Sequence, residues 1–123
     1  MIENLFNQGN YAATKQLLDA SVLRHEGLAS NLANIETPGY KRVDLSPDFA
    51  REFAARVRAG GTAPAPVLTQ DTATPSQRKD GNNVVLDHEL IAMNRNAAEY
   101  DALTEFVSGS IKQLRLAVTG RGA

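Results

Sequence analysis

The chain has 123 residues, a formal net charge of −1 at pH 7, 42% hydrophobic residues and 6% aromatic ones. This length suits one modest domain, and the balanced charge lacks the basic excess of proteins that bind nucleic acid or anionic membranes. The sequence contains no cysteine, which excludes a disulfide framework and a thiolate metal site.

The start of the chain shows no targeting pattern. Residues 1–10 are polar around a small apolar spot, so this segment is predicted to be flexible. The first fourteen residues contain no Lys, no Arg and no apolar h-region, and we therefore expect no cleaved secretory signal peptide. No stretch of the sequence approaches a membrane span.

A first long helix is predicted over residues 11–36, with Asn10 as its N-cap. Its apolar and small residues recur at alternating steps of three and four, which is typical of a helix that packs along one seam. The seam residues are Tyr11, Thr14, Leu18, Ser21, His25, Leu28, Leu32 and Ile35. Gly27 lowers the helix propensity by about 1 kcal/mol relative to Ala. The many small residues either let a neighbouring backbone approach closely or simply weaken the helix.

A Pro-Gly turn is predicted to end this helix. The sequence Thr37-Pro38-Gly39-Tyr40 fits a type II turn, because proline presets φ at the second position and glycine supplies the positive φ at the third. Residues 40–42 should then leave in an extended conformation. Two amides one turn apart, Asn31 and Asn34, have two alternative roles: they bond frayed carbonyls of their own helix, or they bond a neighbouring chain.

A short helix is predicted after this corner. Ser46-Pro47-Asp48 provides an N-cap, a proline at the first helical position and an acid in the first turn. Apolar residues then repeat every four positions at Phe49, Phe53 and Val57, and Gly60-Gly61 ends the helix.

Residues 59–83 contain few large apolar side chains among prolines, glycines and small polar residues. Such a segment buries too little to order itself firmly. We predict a flexible loop, an arm or a short hairpin here, closed by a turn at 80–83.

The strongest periodicity predicts a second long helix over residues 86–119. Ten positions alternate steps of four and three, and nine of them are apolar: Leu86, Leu90, Met93, Ala97, Tyr100, Thr104, Val107, Ile111, Leu114 and Val118. Asp87 is the expected cap and Gly120 the expected stop. Further apolar residues beside this seam, Leu103, Phe106 and Leu116, make it wider than a two-stranded coiled coil needs, so we expect more than one partner helix.

Together these elements predict an all-α fold with two long helices, N- and C-terminal, that carry coiled-coil-like seams. We expect residues 1–123 to form one domain. Its parts are a flexible N-terminus (1–10), the first helix (11–36), a turn, short helix and loop (37–85), and the second helix (86–119).

Catalytic and metal-binding chemistry is not expected. His25-Glu26 and His88-Glu89 each lack the second histidine four residues later that a zinc-protease helix requires. A triad of Ser21, His25 and Glu26 would lie on one helix without an oxyanion turn. We therefore predict that the protein is not an enzyme. We expect no catalytic, cofactor-binding or metal-binding residue and no cofactor.

Two runs of the sequence resemble a known family. Residues 30–40, SNLANIETPGY, resemble the signature of the axial proteins of the bacterial flagellum, the rod, hook and hook-associated family. Residues 80–90, DGNNVVLDHEL, are similar to a run in one short proximal rod protein of that family, with departures at Val85 and Leu90. Only about fifty residues separate the two predicted long helices, which also matches a short rod protein.

The resemblance implies a structural subunit of the proximal rod, required for motility. Such subunits are exported by the flagellar type III apparatus and self-assemble into a drive shaft that transmits torque and encloses the export channel. The implied location is the periplasmic rod of the basal body. The implied partners are other rod subunits and the adjoining ring and export-gate proteins, in homo- and hetero-oligomeric contacts, with no nucleic acid and no small-molecule substrate. Two alternatives stay open: the other short proximal rod protein, and a cytoplasmic helical-hairpin adaptor or chaperone.

The resemblance and the seams together define the predicted site residues. The assembly motif consists of Ser30, Asn31, Leu32, Ala33, Asn34, Thr37, Pro38, Gly39 and Tyr40. The helix-seam interface consists of Leu18, Leu28, Leu32, Ile35, Leu90, Met93, Tyr100, Val107, Ile111, Leu114 and Val118.

Overall fold

A computed structural model of the chain describes residues 9–61 and 63–120, with side chains described from Tyr11 onward. The elements in chain order are α1 (Gly9–Ala33), β1 (Val43–Leu45), α2 (Pro47–Arg58), β2 (Leu68–Gln70) and α3 (Leu86–Thr119). The predicted all-α class is confirmed, since the two three-residue strands are the only sheet among these elements.

The N-terminal helix differs from its prediction at both ends. Gly9 and Asn10 are already helical, so Asn10 is not the N-cap of α1 and the predicted flexible segment does not include these two residues. The prediction for residues 1–8 lies outside the described residues. At the other end, α1 stops at Ala33 and a tight turn follows, in which the Thr37 amide donates to the Asn34 carbonyl at 3.0 Å. The helix thus ends two to three residues before the predicted end at residue 35 or 36, and the constraint of Pro38 acts only on Thr37.

The two long helices pack antiparallel. Asn31 of α1 contacts Glu89 of α3, and Ser21 contacts Asn96, so residue numbers fall along α3 as they rise along α1. With 34 residues, α3 is about 51 Å long, against about 37 Å for the 25 residues of α1. The C-terminal part of α3 therefore extends past the described start of α1.

The small residues of α1 allow the strands to approach. β1 and β2 form an antiparallel pair in which Asp44 faces Thr69, and both strands lie against α1. A Cβ atom added at Gly27 would lie 2.9 Å from Leu68 Cδ2. Of the two alternatives for these small residues, close packing therefore holds at Gly27.

Polar contacts hold the segment between α2 and α3, which is a loop that contains one short strand. A loop was predicted here, and its flexibility stays a prediction. Its strand, β2, pairs with the chain that precedes α2. Before β2, the side-chain amide of Gln16 donates to the Ala63 carbonyl at 2.7 Å, and the Ala63 amide returns a bond of 3.2 Å. The prediction counted only apolar burial, whereas these contacts tie the segment to α1 through hydrogen bonds.

The interior contains more polar than apolar side chains. Among the described residues, the buried hydrophobic ones are Ala20, Leu28, Ala63 and Val84. The buried polar or charged ones are Thr14, Ser21, Asn31, Asn82, Asn83, Glu89 and Asn96. Within the described part of the chain, every buried side-chain nitrogen or oxygen has a hydrogen-bond partner. Because an unpartnered buried polar group costs about 1–3 kcal/mol, this fold depends on complete pairing.

The predicted seam of α3 coincides only in part with the face that packs against α1. Met93, Val107 and Leu114 are half-buried. Leu86, Leu90 and Tyr100 are exposed, while Glu89 and Asn96 are buried between the helices. The physical reason is that the facing residues of α1, Asn31 and Ser21, are polar and pair with them. The apolar seam is thereby rotated toward solvent over the first half of α3.

The ends of α3 and α2 can be compared with their predicted caps. Asp87 does not cap α3: the N-cap is Val85, which makes no side-chain cap bond. Gly120 ends the helix in the left-handed conformation, as predicted. In α2, the Ser46 hydroxyl accepts from the Asp48 amide at 3.4 Å, and no side chain of this helix is buried.

Two glycines make the strand contact testable. Gly109→Ala in α3 should raise the free energy of unfolding by about 0.5–1 kcal/mol, because Ala is the better helix former and nothing lies within 4 Å of the added methyl group. Gly27→Ala should gain clearly less, because its methyl group crowds Leu68. Urea unfolding of both variants measures the difference, and equal stabilisation would show that the strands do not constrain Gly27.

Candidate functional site

The two sequence motifs meet at one end of the helix pair. We call this site the polar corner. It consists of Asn31, Asn34, Tyr40, Arg42, Asp44, Asp71, Asn82, Asn83 and Glu89, which hydrogen bonds join into one network. Residues from α1, from the extended chain after it, from the turn before α3 and from α3 itself are thereby held together.

The Pro-Gly turn folds the chain back onto α1. Gly39 has a φ of 73°, and the Tyr40 amide donates to the Thr37 carbonyl at 3.2 Å, both as the predicted type II turn requires. The Tyr40 hydroxyl then donates to Asn31 Oδ1 at 3.1 Å and lies 3.1 Å from the Ser30 hydroxyl. The turn thus returns an aromatic side chain to the helix that it ends.

Asn31 joins three segments of its own chain. Its side-chain amide donates to the Val43 carbonyl at 2.9 Å and accepts from the Val43 amide at 2.8 Å, as a neighbouring strand would do. It also donates to Glu89 Oε2 at 3.1 Å, and it has no exposed surface. Asn31 therefore serves neither of its two predicted roles, whereas Asn34 serves the first by donating to the Ser30 carbonyl at 2.9 Å.

Arg42 is the centre of charge in the corner. Its guanidinium donates to Glu89 Oε1 at 2.7 Å, to Asp71 Oδ2 at 2.7 Å and to Asp44 Oδ2 at 3.2 Å. Burial works to lower the pKa of Arg42, but the hydrogen bonds to Glu89 and Asp71 and the charge of Glu89 outweigh burial and raise the pKa above its ordinary value. Glu89 is only 1% exposed, so its carboxylate relies on Arg42 and Asn31 in place of water.

Asp71 follows β2 and holds it to the corner. Its amide donates to the Arg42 carbonyl at 2.8 Å, and its carboxylate accepts from Arg42 and from the Thr74 hydroxyl, each at 2.7 Å. Burial works to raise the pKa of this carboxyl, but the hydrogen bonds from Thr74 and Arg42 outweigh it and lower the pKa from 3.8 to about 2.

Asn82 holds the turn that follows α1. Its side-chain amide lies within donating distance of three carbonyls of this turn, those of Asn34 at 2.9 Å, Ile35 at 3.1 Å and Thr37 at 2.9 Å. Backbone carbonyls outside a helix need donors from elsewhere when they are removed from water. Arg78 adds a further bond to Ile35. The turn after the first helix is therefore held by residues that follow it by more than forty positions.

Asn83 bonds backbone groups of the extended chain. Its Oδ1 accepts from the Arg42 amide at 2.7 Å, and its Nδ2 donates to the carbonyls of Asp71 at 3.0 Å and Thr74 at 3.1 Å. The side chain thus joins the segment before β1 to the segment after β2.

The predicted assembly motif is divided between the interior and the surface. Asn31 is buried, and the half-exposed members are Ser30, Leu32, Asn34 and Tyr40. The exposed members are Ala33, Thr37, Pro38 and Gly39. In this conformation only the exposed members and parts of the half-exposed ones are accessible to another chain.

The predicted helix-seam interface is also divided. Leu28 is buried, and Leu18, Leu32, Ile35, Met93, Val107 and Leu114 are half-buried. The remaining members, Leu90, Tyr100, Ile111 and Val118, are exposed.

Sequence reasoning missed three residues that hold the corner, namely Arg42, Asp44 and Asp71. It quoted Asn82, Asn83 and Glu89 only as part of a family run. One feature of the sequence indicates the role of Asn82 and Asn83. They are consecutive asparagines close before a strongly predicted helix, and asparagine side chains are suited to bonding backbone groups. No local signal identifies Asp71 as the partner of Arg42.

Two further kinds of site can be checked over the part of the chain that the structure describes, a metal centre and a membrane span. Over 9–61 and 63–120, no group of His, Asp or Glu side chains is arranged to hold a metal ion. No helix within these ranges combines the length and the apolar character that crossing a bilayer requires.

These features define a class of protein: a pair of antiparallel helices of unequal length, joined at one end by a polar corner and apolar along the outside of the longer helix. No protein-family model matches the chain. The curated relatives named flagellar basal body rod protein FlgB include that of Escherichia coli (strain K12), which is 33% identical over 118 residues, covering 80% of this chain and 84% of the relative.

Relatives of the same name come from two further organisms. The protein of Aeromonas hydrophila is 36% identical over 110 residues, covering 79% of this chain and 83% of the relative. The protein of Bacillus subtilis (strain 168) is 27% identical over 122 residues, covering 91% and 95%. The chain belongs to the FlgB family of flagellar basal body rod proteins.

The bonds from Asn82 to the turn after α1 can be tested by mutation. Asn82→Ala should lower the free energy of unfolding by roughly 2–3 kcal/mol, since the carbonyls of this turn lose a buried donor. Asn94→Ala, at an exposed position of α3, is the matched control and should change stability by less than about 0.5 kcal/mol. Urea unfolding of both variants makes the comparison, and a small loss for Asn82→Ala would contradict the role of these bonds.

The corner should also weaken in acid. Because the pKa of Asp71 is lower in the folded protein, its carboxylate stabilises the fold above the ordinary pKa of 3.8, and this contribution is lost as the pH falls toward about 2. The stability difference between the unmodified chain and Asp71→Asn should therefore shrink between pH 4 and pH 2. Denaturant titrations at each pH measure it, and a constant difference over this range would contradict the role of Asp71.

Proposed function

We propose that the chain is a structural subunit of the proximal rod of the bacterial flagellar basal body. In this role it assembles with other subunits into the drive shaft that transmits torque and encloses the export channel, and motility requires it. The observation that carries the proposal, beyond family membership, is the apolar outer surface of α3. Exposed large hydrophobic residues of this helix are Leu86, Leu90, Ile91, Tyr100, Phe106, Ile111, Leu116 and Val118.

These side chains require partners. Apolar area removed from water contributes roughly 25 cal/mol per Å², and contiguous apolar surface on a small protein marks an interaction site. Ile111, Leu116 and Val118 lie on the part of α3 that extends past the described start of α1. We infer that helices of neighbouring subunits cover this part of α3 in the assembled rod.

The relatives' name supports the proposed location and partners. We place the chain in the basal body rod, reached through the flagellar type III export apparatus. We propose contacts with other copies, with other rod subunits and with the adjoining ring and export-gate proteins. Repeated heterologous contacts of this kind generate helical tubes, because one surface of a subunit binds a different surface of the next.

The role we propose for the polar corner is mechanical. Its charged and amide groups bond to one another, and we infer that it carries no catalysis. Instead it fixes the direction in which the chain leaves α1 and holds Thr37, Pro38 and Gly39 on the surface, where these exposed members of the assembly motif can contact a neighbouring subunit.

Assembly can be separated from folding on the outer face of α3. Ile111→Asp should leave the helicity and stability of the isolated chain nearly unchanged, because Ile111 is exposed. In the rod, the same carboxylate would be buried without a partner, at a cost of several kcal/mol. A flagellated bacterium that lacks its own copy of this gene should therefore swim when given the unmodified gene, and should fail to swim when given the Ile111→Asp gene.

Gln113→Asp is the matched control, because it adds the same charge two positions away, outside the predicted seam and also exposed. Cells carrying it should swim. Normal swimming of the Ile111→Asp cells would remove the seam from the interface, and failure of the unmodified gene in a closely related host would contradict the rod function.

A further inference from the structure

An apolar groove runs between α1 and α3 next to the buried Ser21–Asn96 contact. It encloses about 400 Å³ and is lined by Ser21, Val22, His25, Glu26, Asn96, Ala97, Tyr100 and Asp101. Val22 is 48% exposed and Tyr100 is 41% exposed, so two large apolar side chains of the groove face solvent. Neither the polar corner nor the outer end of α3 uses this surface.

The groove and the strands lie on different sides of α1. Gly27 faces β2, where Leu68 lies against it. Val22 is five residues earlier, which places it roughly 140° around the helix from Gly27. α2 starts two residues after β1 ends, so it is attached on the strand side. The α2 of a protomer is therefore separated from that protomer's own groove by the body of α1.

α2 is an amphipathic helix that buries none of its side chains. Phe49 and Phe53 are half-buried. Phe49 and Phe53 stack on each other, with ring centroids 5.8 Å apart, and Val57 continues their stripe with 38% of its surface exposed. Its 12 residues span about 18 Å, long enough to lie along the groove.

The charges of the two surfaces are complementary. The carboxylates that line the groove belong to Glu26 and Asp101, both exposed. The last turn of α2 contains two bases, Arg56 and Arg58, and no acid. Opposite charges around an apolar contact fix the register and the choice of partner.

We propose that the groove between α1 and α3 binds α2 of a second copy of this chain. Phe53 and Val57 of one copy pack against Val22 and Tyr100 of the next, and Arg56 faces Glu26 and Asp101. This contact joins two different surfaces on different sides of the molecule, so it continues from copy to copy and does not close into a dimer. The proposal rests on the rod function in that it names one subunit contact that a rod would use.

The absence of cysteine from the chain permits a direct test by single-cysteine cross-linking. One chain carries Val57→Cys and one tag, and a second chain carries Ala97→Cys and another tag. The two purified proteins are mixed at high concentration under mild oxidation. A disulfide forms only when the two Cα atoms come within about 7 Å. We expect a linked product that contains both tags.

Ala55→Cys is the matched control on α2. It is exposed and lies roughly 160° around the helix from Val57. Its yield with Ala97→Cys should be about tenfold lower than that of Val57→Cys, because its sulfur points away from the groove. Equal yields from the two positions, or no doubly tagged product from either, would overturn the proposal.

A charge exchange provides a second measurement. Arg56→Glu, added to the Val57→Cys chain, should reduce the yield roughly fivefold, and Asp101→Arg in the Ala97→Cys chain should restore it. Circular dichroism confirms that each variant is folded, and a yield that does not depend on these charges would contradict the pairing. Because the test uses the purified chain alone, it is independent of motility. If the unmodified gene restores swimming but no cross-link forms, only this contact is refuted. If the cross-link forms but the gene does not restore swimming, only the rod function is refuted.

Discussion

The buried ion pair between Arg42 and Glu89 is the interaction on which the rest of the structure depends. Glu89 is almost fully buried, and removing its partner from such a pair typically costs about 3–5 kcal/mol because the remaining charge loses both water and counter-charge. Asn31 completes the coordination of Glu89, and Asp71 and Asp44 complete that of Arg42. The position of the extended chain after α1 is therefore determined by a residue on α3.

Amide side chains take the place of a larger sheet and of a larger apolar core. Asn31, Asn83 and Gln16 each donate to backbone carbonyls and accept from a backbone amide, and Asn82 donates to carbonyls of the turn after α1. Hydrogen bonds contribute little net stability each, about 0.5–1.5 kcal/mol, but they are specific in direction. A corner built in this way has one geometry, and it uses almost none of the apolar surface of the long helices.

The sequence predicted what local periodicity determines. The heptad pattern of α3 predicted that the helix begins at Leu86 and ends before Gly120. The Pro-Gly sequence predicted the positive φ of Gly39. The residues that are buried between the helices could not be predicted. Periodicity predicts that Glu89 is exposed and Leu90 is buried, whereas in the structure Glu89 is buried and Leu90 is exposed. That reversal depends on Asn31 and Arg42, which lie far away along the chain, and no pattern within α3 encodes it.

We propose that the stability of the fold and the assembly of the protein depend on different residues of the chain. The polar corner is complete within one molecule, since each described buried polar atom has its partner, and it would gain nothing from a neighbour. The apolar seam is incomplete within one molecule, since Leu90, Ile111 and Val118 remain in water. Had the whole seam faced α1, the monomer would be more stable and would expose less apolar surface. Polar pairs such as Ser21 and Asn96 occupy part of the interface between the helices, and we propose that the exposed part of the seam thereby keeps its hydrophobic driving force for contacts with other subunits.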